Sequence, residues 1–198
     1  MTSSEGSIRG FIALEIPSAV KLTLQEAIQS LNAQIPKGVR WLDPSAMHLT
    51  LKFLGSVAPG MISGILDAVG RSAEPVAPFR ISLSGLGMFP NEKRPRVLWA
   101  GVQGDLDAIL ELQQRVEEAM HGLGFAPEER RFSPHLTLGR VRDQVSGSLR
   151  RQIGSAVSSA SLGTAEPWLV REVHLVQSVL APGGASYTTL GSIALGLN

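Results

Sequence analysis

The sequence contains no cysteine, which excludes disulfide bonds, thiolate catalysis and cysteine-ligated zinc. Neither sign of charge dominates, because 18 Lys and Arg residues stand against 17 Asp and Glu residues. The basic stripe that usually holds long nucleic acids is not visible, so any nucleic acid is held locally, at an end. No apolar run approaches the roughly 18 residues of a membrane-spanning helix, and the first residues carry neither positive charge nor an apolar leader. We therefore expect a soluble, cytoplasmic protein without a membrane partner. We also expect a monomer, although no feature of the sequence establishes the oligomeric state.

The composition is that of a folded protein rich in turns. A length of 198 residues suits one domain, or two small lobes that share an interface. Apolar residues make up 43% of the chain, which is enough for a core, and 21 Gly with 12 Pro indicate many turns. We expect residues 1–198 to form a single bilobal domain.

A repeated tetrapeptide indicates an internal duplication. The sequence His-Leu-Thr-Leu occurs at residues 48–51 and again at 135–138, which are 87 positions apart. The same offset relates the strand-like stretch 9–15, RGFIALE, to 96–102, RVLWAGV. Several features that agree at one ungapped offset predict that the chain is a duplication.

Each predicted half runs strand, helix, strand, helix, strand. The Pro-rich stretch 90–95 is the natural junction, so the repeat halves are approximately 8–90 and 95–198. A final apolar stretch, Tyr187–Leu195, is expected to add one strand to a sheet. The predicted helices are 19–34, 59–73, 106–123 and 146–160, and the last strands of the two halves are 79–86 and 168–176.

The repeated tetrapeptides carry the residues best suited to catalysis. Side chains alternate along a strand, so His and Thr share one face while the two leucines enter the core. His48, Thr50, His135 and Thr137 would then meet in the groove between two lobes. Displacement at phosphorus needs a base and an acid, and histidine, with a pKa of about 6.5, serves as either. Because threonine hydroxyls donate to phosphate oxygens, this set predicts metal-independent cleavage of a phosphodiester.

Two other interpretations of the histidines are open. A lone histidine on a strand is more often structural, although an identical pair at equivalent repeat positions favours catalysis. A zinc site would need a third ligand, which could be His121, His174 or a carboxylate. His121 lies near the end of a polar-faced helix, where the helix dipole favours a solvated histidine. His174 shares a strand face with Glu172 and Val176, as a hydrogen-bonded structural histidine would.

The residues around both motifs resemble the 2H phosphoesterase superfamily. The resemblance rests on Trp41 with HLTLKFLG at 48–55, on FSPHLTLGR at 132–140, and on RGFIAL at 9–14 and PRVLW at 95–99. Within the superfamily, the chain is similar to bacterial RNA 2′,3′-cyclic phosphodiesterases, formerly called 2′-5′ RNA ligases. The resemblance implies a bilobal α+β fold with pseudo-two-fold duplication, in which two mainly antiparallel sheets flank a central cleft and the helices lie outside.

The same resemblance implies a reaction and the roles of the residues. The reaction is hydrolysis of a terminal 2′,3′-cyclic phosphate of RNA to a 2′-phosphomonoester, with no cofactor and no metal. His48 would be the proton donor and His135 the proton acceptor. Thr50, Thr137 and Arg140 would bind the substrate.

The positively charged candidates raise a question of strand geometry. Counting by twos along the second motif reaches Gly139 rather than Arg140, so Arg140 faces the cleft only if the strand ends, bulges or twists there. Its twin in the first half is Phe53, so the site is not symmetric in charge. The same count puts Lys52 on the face of the first histidine. There it would either supply positive charge to the substrate or remain a solvated lysine.

Base recognition and the choice of substrate leave alternatives open. A terminal nucleotide is usually held by stacking on an aromatic ring, and the candidates are Phe11, Phe132 and Tyr187. The same groups could join tRNA halves through a 2′-5′ bond, although abundant water favours hydrolysis. Other substrates would be ADP-ribose cyclic phosphate or 2′-5′ oligoadenylate. Binding of RNA ends without catalysis is a further alternative, but it would not need two proton-transfer groups.

Overall fold

The computed structural model describes residues 6–181 and 184–196, and there each half of the chain contains the order strand, helix, strand, helix, strand, with one additional strand in the first half and two in the second. The elements of the first half are β1 (Ile8–Leu14), α1 (Ser18–Gln34), β2 (Val39–Trp41), β3 (Leu49–Val57), α2 (Ile62–Ala73) and β4 (Phe79–Phe89). Those of the second half are β5 (Val97–Gly104), α3 (Leu106–Gly122), β6 (His135–Val141), α4 (Gly147–Ser159), β7 (Trp168–Val170), β8 (Glu172–Ala181) and β9 (Gly184–Ala194).

The predicted helices and strands hold to within about three residues at their ends, with two exceptions, and the short strand β2 was not predicted. The helix expected over 59–73 is divided, because Pro59–Met61 forms a short 3-10 turn before α2 begins. The strand expected over 168–176 is wrong as a single strand, because β7 and β8 belong to different sheets and the chain crosses between them at Arg171. The additional strand expected near the end of the chain is confirmed as β9.

The strands form two antiparallel sheets whose composition does not follow the halves of the chain. Sheet 1 has the order β3-β1-β8-β9, and sheet 2 has the order β2-β6-β5-β4-β7. The last long strand of each half therefore pairs inside the sheet of the other half: β8 beside β1, and β4 beside β5. This exchange ties the halves together, and the predicted bilobal duplication with antiparallel sheets is confirmed.

The helices cover one face of each sheet. Helices α2 and α3 lie against sheet 1, while α4 lies against sheet 2 and packs with α1 around the buried Leu98 of β5. On the uncovered face of sheet 1, Phe11, Ala13 and Val176 form a small apolar group, with Tyr187 beside it. The cleft lies on these uncovered faces. Within the described ranges, no helix has both the length and the apolar character needed to cross a lipid bilayer.

Candidate active site

The two His-Leu-Thr-Leu segments lie on neighbouring strands where the two sheets meet. The first leads into β3, the outer strand of sheet 1, and the second opens β6 of sheet 2, and Cα atoms of these strands approach within 8 Å. The Leu42 N–H donates to the Leu138 carbonyl at 2.9 Å, which ties the chain before β3 to β6. The leucines of both segments are buried, whereas both histidines and both threonines are half-buried. The two motifs thus present the same side chains along the line where β3 and β6 are neighbours.

A β-bulge in β6 brings Arg140 to the face that carries His135 and Thr137. Leu138 is the extra residue, because Thr137 and Gly139 pair with consecutive residues of β5. One extra residue reverses the alternation of side chains beyond it. Arg140 therefore projects from the same face as His135 and Thr137, where it is exposed to solvent. The bulge is the irregularity that the sequence pattern required for this arginine.

The equivalent bulge in β3 removes Lys52 from that face. Leu51 is the extra residue here, because Thr50 and Lys52 pair with consecutive residues of β1. The side chain of Lys52 turns to the helix-covered side, where Nζ donates to Glu117 Oε1 at 2.5 Å and to the Ala126 carbonyl at 2.6 Å. Only 5% of Lys52 is exposed. The expectation that Lys52 binds substrate is therefore wrong, because an alternation by twos cannot pass through a bulge.

The same hydrogen bond sets the tautomer of both histidines. The Nδ1–H of His48 donates to the Ala46 carbonyl at 3.0 Å, and the Nδ1–H of His135 donates to the Ser133 carbonyl at 2.7 Å. A carbonyl oxygen only accepts, so each neutral ring carries its proton on Nδ1 and a lone pair on Nε2. Each Nε2 is thus the atom left for proton transfer.

Aromatic rings surround His48 in an arrangement that separates the stacking candidates. Phe11 stacks on His48 with ring centroids 4.3 Å apart and is only 2% exposed, so it orients the imidazole and offers little surface to a base. Tyr187 meets His48 edge-on at 5.1 Å and is half-buried. Phe132 packs against the main core instead. Phe53, which is 61% exposed and lies 6.1 Å from Phe11, is an additional surface ring that the sequence did not single out for stacking.

Two aromatic residues beside His135 were also missed from the sequence. Phe89 meets the imidazole edge-on at 5.0 Å, and Trp99 lies 6.4 Å from it. The indole lies across Gly87, where a Cβ would stand 2.2 Å from the ring, so only glycine leaves it room. A glycine across the sheet from a tryptophan was the available signal, but it requires the pairing of β4 with β5 to be known.

Burial disfavours the protonated form of both imidazoles. Burial lowers the pKa of His48 from 6.5 to about 4, and the nearby Lys21 charge adds to this effect. Burial also lowers the pKa of His135, with a further contribution from Arg140. The Nδ1 hydrogen bond to a carbonyl opposes the change in each case. Both rings are therefore neutral at neutral pH until a ligand changes their surroundings.

Among the described residues, neither of the other two histidines shares a hydrogen bond or a ring contact with this pair. His121 is exposed in the last turn of α3. His174 shares a hydrogen bond of 2.9 Å between Nδ1 and the Ser192 hydroxyl, and its Nε2 lies 3.9 Å from Glu172. Across residues 6–181 and 184–196, no three His, Asp or Glu side chains are grouped closely enough to hold a metal ion.

Comparison with known proteins gives consistent matches over nearly the whole chain. The model of the family described as LigT like Phosphoesterase matches twice, over residues 14–99 and 102–187, once in each half. The RNA 2′,3′-cyclic phosphodiesterase of Methanothermobacter thermautotrophicus is 31% identical over 186 residues, which cover 92% of this chain and 96% of that protein.

Solved structures share the architecture. The crystal structure of TT0787 of Thermus thermophilus has a TM-score of 0.77 at 28% identity, and the match covers 96% of this chain and 100% of the other. The crystal structure of E. coli LigT complexed with 3′-AMP has a TM-score of 0.72 at 25% identity, with 96% and 98% covered. The two-lobed fold is therefore common to these chains.

Proposed function

Because this chain belongs to the LigT-like phosphoesterase family, we propose that it hydrolyses the terminal 2′,3′-cyclic phosphate of RNA to a 2′-phosphomonoester. The name of its relative from Methanothermobacter thermautotrophicus, RNA 2′,3′-cyclic phosphodiesterase, supports this substrate. The observation that carries the proposal is the matched pair of imidazoles, each with Nδ1 bound to a carbonyl and Nε2 left for proton transfer. We propose further that no metal takes part.

Two proton transfers accompany the reaction. Water attacks phosphorus while Nε2 of His135 takes one of its protons, so a new P–O bond forms. The bond between phosphorus and the 3′ oxygen breaks, and Nε2 of His48 donates a proton to that oxygen. The phosphate stays on the 2′ oxygen, and the rings exchange protons with solvent to restore the starting state. Each such group is typically worth about 10²–10⁴-fold in rate.

Hydroxyl and guanidinium groups on the same faces suit the charge that develops at phosphorus. Thr50 and Thr137 stand two residues beyond their histidines, and we propose that their hydroxyls donate to non-bridging phosphate oxygens. Arg140 adds a positive charge next to Thr137, made possible by the bulge in β6. Tyr187 is the half-exposed ring beside His48 against which the terminal base is proposed to lie.

The buried state of His48 explains how an acid is generated only in the complex. In the ligand-free protein its imidazole is neutral, because burial lowers its pKa to about 4. The cyclic phosphate brings a negative charge, and an opposite charge within about 4–6 Å favours the protonated imidazole. Substrate binding and protonation of His48 are therefore coupled.

Product analysis tests the proposed reaction. An oligonucleotide that ends in a 2′,3′-cyclic phosphate is incubated with the protein in EDTA, and the position of the phosphate is determined by 31P NMR. We expect a 2′-phosphate as the sole product, at an unchanged rate in the chelator. A 3′-phosphate, a 2′-5′ ligated product, or activity that is lost in EDTA and restored by zinc would each contradict the proposal.

A modified leaving group tests the roles of the two histidines. A cyclic phosphate with sulfur in place of the 3′ oxygen releases a thiolate, which needs no proton. We expect the His48→Ala variant to recover much of its activity on this substrate, while His135→Ala remains inactive. Recovery by His135→Ala instead would assign the opposite roles.

A further inference from the structure

Arg40 and Arg140 stand directly opposite each other across β2 and β6. The register pairs Val39 with Val141 and Arg40 with Arg140, and residues that face each other in an antiparallel pair project from the same face. Val39 and Val141 are buried against the helices, so the two arginines project from the other face, toward the cleft. This is the face of sheet 2 that also carries His135.

Within the described part of the chain, no acidic side chain forms a salt bridge with this pair. Both arginines are exposed, and among residues 6–181 and 184–196 neither guanidinium forms a salt bridge or a hydrogen bond. Like charges directly opposite on a sheet destabilise it. A pair that opposes folding and is aimed at the cleft is the arrangement expected of a group that meets an anion.

The spacing places Arg40 beyond the reacting phosphate. The bulge leaves Arg140 two pairing positions beyond Thr137, about 7 Å along the strand, and Arg40 is one strand further away, about 5 Å. The combined distance from Thr137 to Arg40 is comparable with the separation between consecutive phosphates of an extended RNA strand. At the equivalent end of β3 the exposed Phe53 replaces Arg140, so the positive charge is confined to one end of the cleft.

We propose that Arg40 binds the phosphodiester that joins the terminal nucleotide to the rest of the RNA, with Arg140 between it and the reacting phosphate. This inference rests on the proposed function and adds to it a binding subsite: the phosphodiester next to the terminal nucleotide, which an oligonucleotide end has and a cyclic mononucleotide lacks. The inference also agrees with the balanced net charge of +1, since two arginines can bind RNA phosphates at one place without a basic stripe.

The test compares two substrates that differ only in that phosphodiester. One is a nucleoside 2′,3′-cyclic phosphate, and the other is a dinucleotide that ends in the same cyclic nucleotide. We expect the wild type to prefer the dinucleotide, and Arg40→Ala to lower the ratio of the two kcat/KM values by about 10-fold or more, as for a hydrogen bond to a charged group. Arg40→Lys should retain part of the preference. Arg71→Ala, which removes an exposed arginine from helix α2, is the matched control.

Two further readouts separate binding from a structural role. For the dinucleotide, Arg40→Ala should raise KM with little change in kcat, and the slope of log(kcat/KM) against log salt should weaken by about 0.7, the value for one phosphate contact on a single strand. The unfolding midpoint of Arg40→Ala should be no lower than that of the wild type, because one of two opposed charges is removed.

The experiment distinguishes failure of the Arg40 inference from failure of the proposed function. An unchanged substrate ratio in Arg40→Ala, or an equal loss on both substrates, overturns the inference while leaving the proposed hydrolysis intact. A lowered unfolding midpoint with an unchanged ratio assigns Arg40 a structural role and also overturns it. A wild type that hydrolyses neither substrate refutes the proposed function itself.

Discussion

Replacing Lys52 with alanine should damage folding and leave catalysis intact. Its Nζ bonds to Glu117 and to the Ala126 carbonyl, and its side chain is only 4% exposed against 20% for that of Glu117. The variant would leave the Glu117 carboxylate without its counter-ion, and Oε2 of this carboxylate is already buried without a partner among the described residues. Loss of one partner of a buried pair costs about 3–5 kcal/mol. At about 2–4 °C per kcal/mol for a chain of this size, the unfolding midpoint should fall by about 6–20 °C.

Thermal and denaturant unfolding measure the first effect, and steady-state kinetics well below the midpoint measure the second. We expect kcat/KM of Lys52→Ala to stay within about 2-fold of wild type, because the bulge at Leu51 turns the lysine away from the cleft. The double variant Lys52→Met with Glu117→Gln should recover much of the lost stability, since replacing a whole buried pair is far less costly than breaking it. The amide oxygen of Gln keeps an acceptor for the Glu128 N–H.

One outcome would refute this reasoning. If Lys52→Ala unfolds like the wild type but loses 10-fold or more in kcat/KM, then Lys52 contacts the substrate, and the register of β3 with β1 is not the one described. Lys37→Ala, which removes an exposed lysine before β2, should change neither quantity.

Three further predictions concern the catalytic groups. His48→Ala and His135→Ala should each lower kcat by about 10²–10⁴-fold on the natural substrate while the far-UV circular dichroism spectrum is retained, and an active single variant contradicts the two-histidine mechanism. The pH profile of kcat/KM should be bell-shaped with its maximum below 6.5, because burial lowers the pKa of both histidines and the catalytic proton is lost as the pH rises. A maximum above 7.5 would contradict these lowered pKa values. Thr50→Val and Thr137→Val should each cost about 1–3 kcal/mol in kcat/KM, and full activity in either removes its role in phosphate stabilisation.

The local features of the fold could be predicted from the sequence because they depend on patterns of residues that are close together in the chain. The two identical tetrapeptides revealed the duplication, and the apolar spacing of α1 and α3 placed these helices to within a residue or so. The alternation of buried leucines with half-buried His and Thr in both motifs also follows from strand geometry alone.

The features that the sequence did not reveal depend on which strands pair. Exchange of β4 and β8 between the halves is decided by tertiary packing, not by any local pattern. The bulges at Leu51 and Leu138 determine which face of the sheet the side chains of Lys52 and Arg140 project from. A bulge can be identified only from the register with the neighbouring strand. Arg140 lies an odd number of residues after His135, so it could share the face of His135 only if the strand was irregular near Gly139. The equivalent bulge in the first motif was not inferred.

The aromatic environment of His135 and the arginine pair depend on pairing in the same way. Trp99 fits over Gly87 only because β4 lies beside β5. Arg40 becomes a neighbour of Arg140 only because the three-residue strand β2 adds to the edge of sheet 2. A strand that short carries too little periodicity to be identified from sequence.

The most direct test of the account is whether one phosphate engages both imidazoles at once. Protein labelled with 15N in its four histidines is titrated with a nucleoside 2′-monophosphate, the proposed product, and the Nε2 resonances are assigned with His48→Gln and His135→Gln variants. We expect the Nε2 signals of His48 and His135 to shift together, with one dissociation constant and one ligand per chain, while those of His121 and His174 stay in place. A shift confined to one of the two catalytic rings, or two shifts with different dissociation constants, would contradict the two-histidine site.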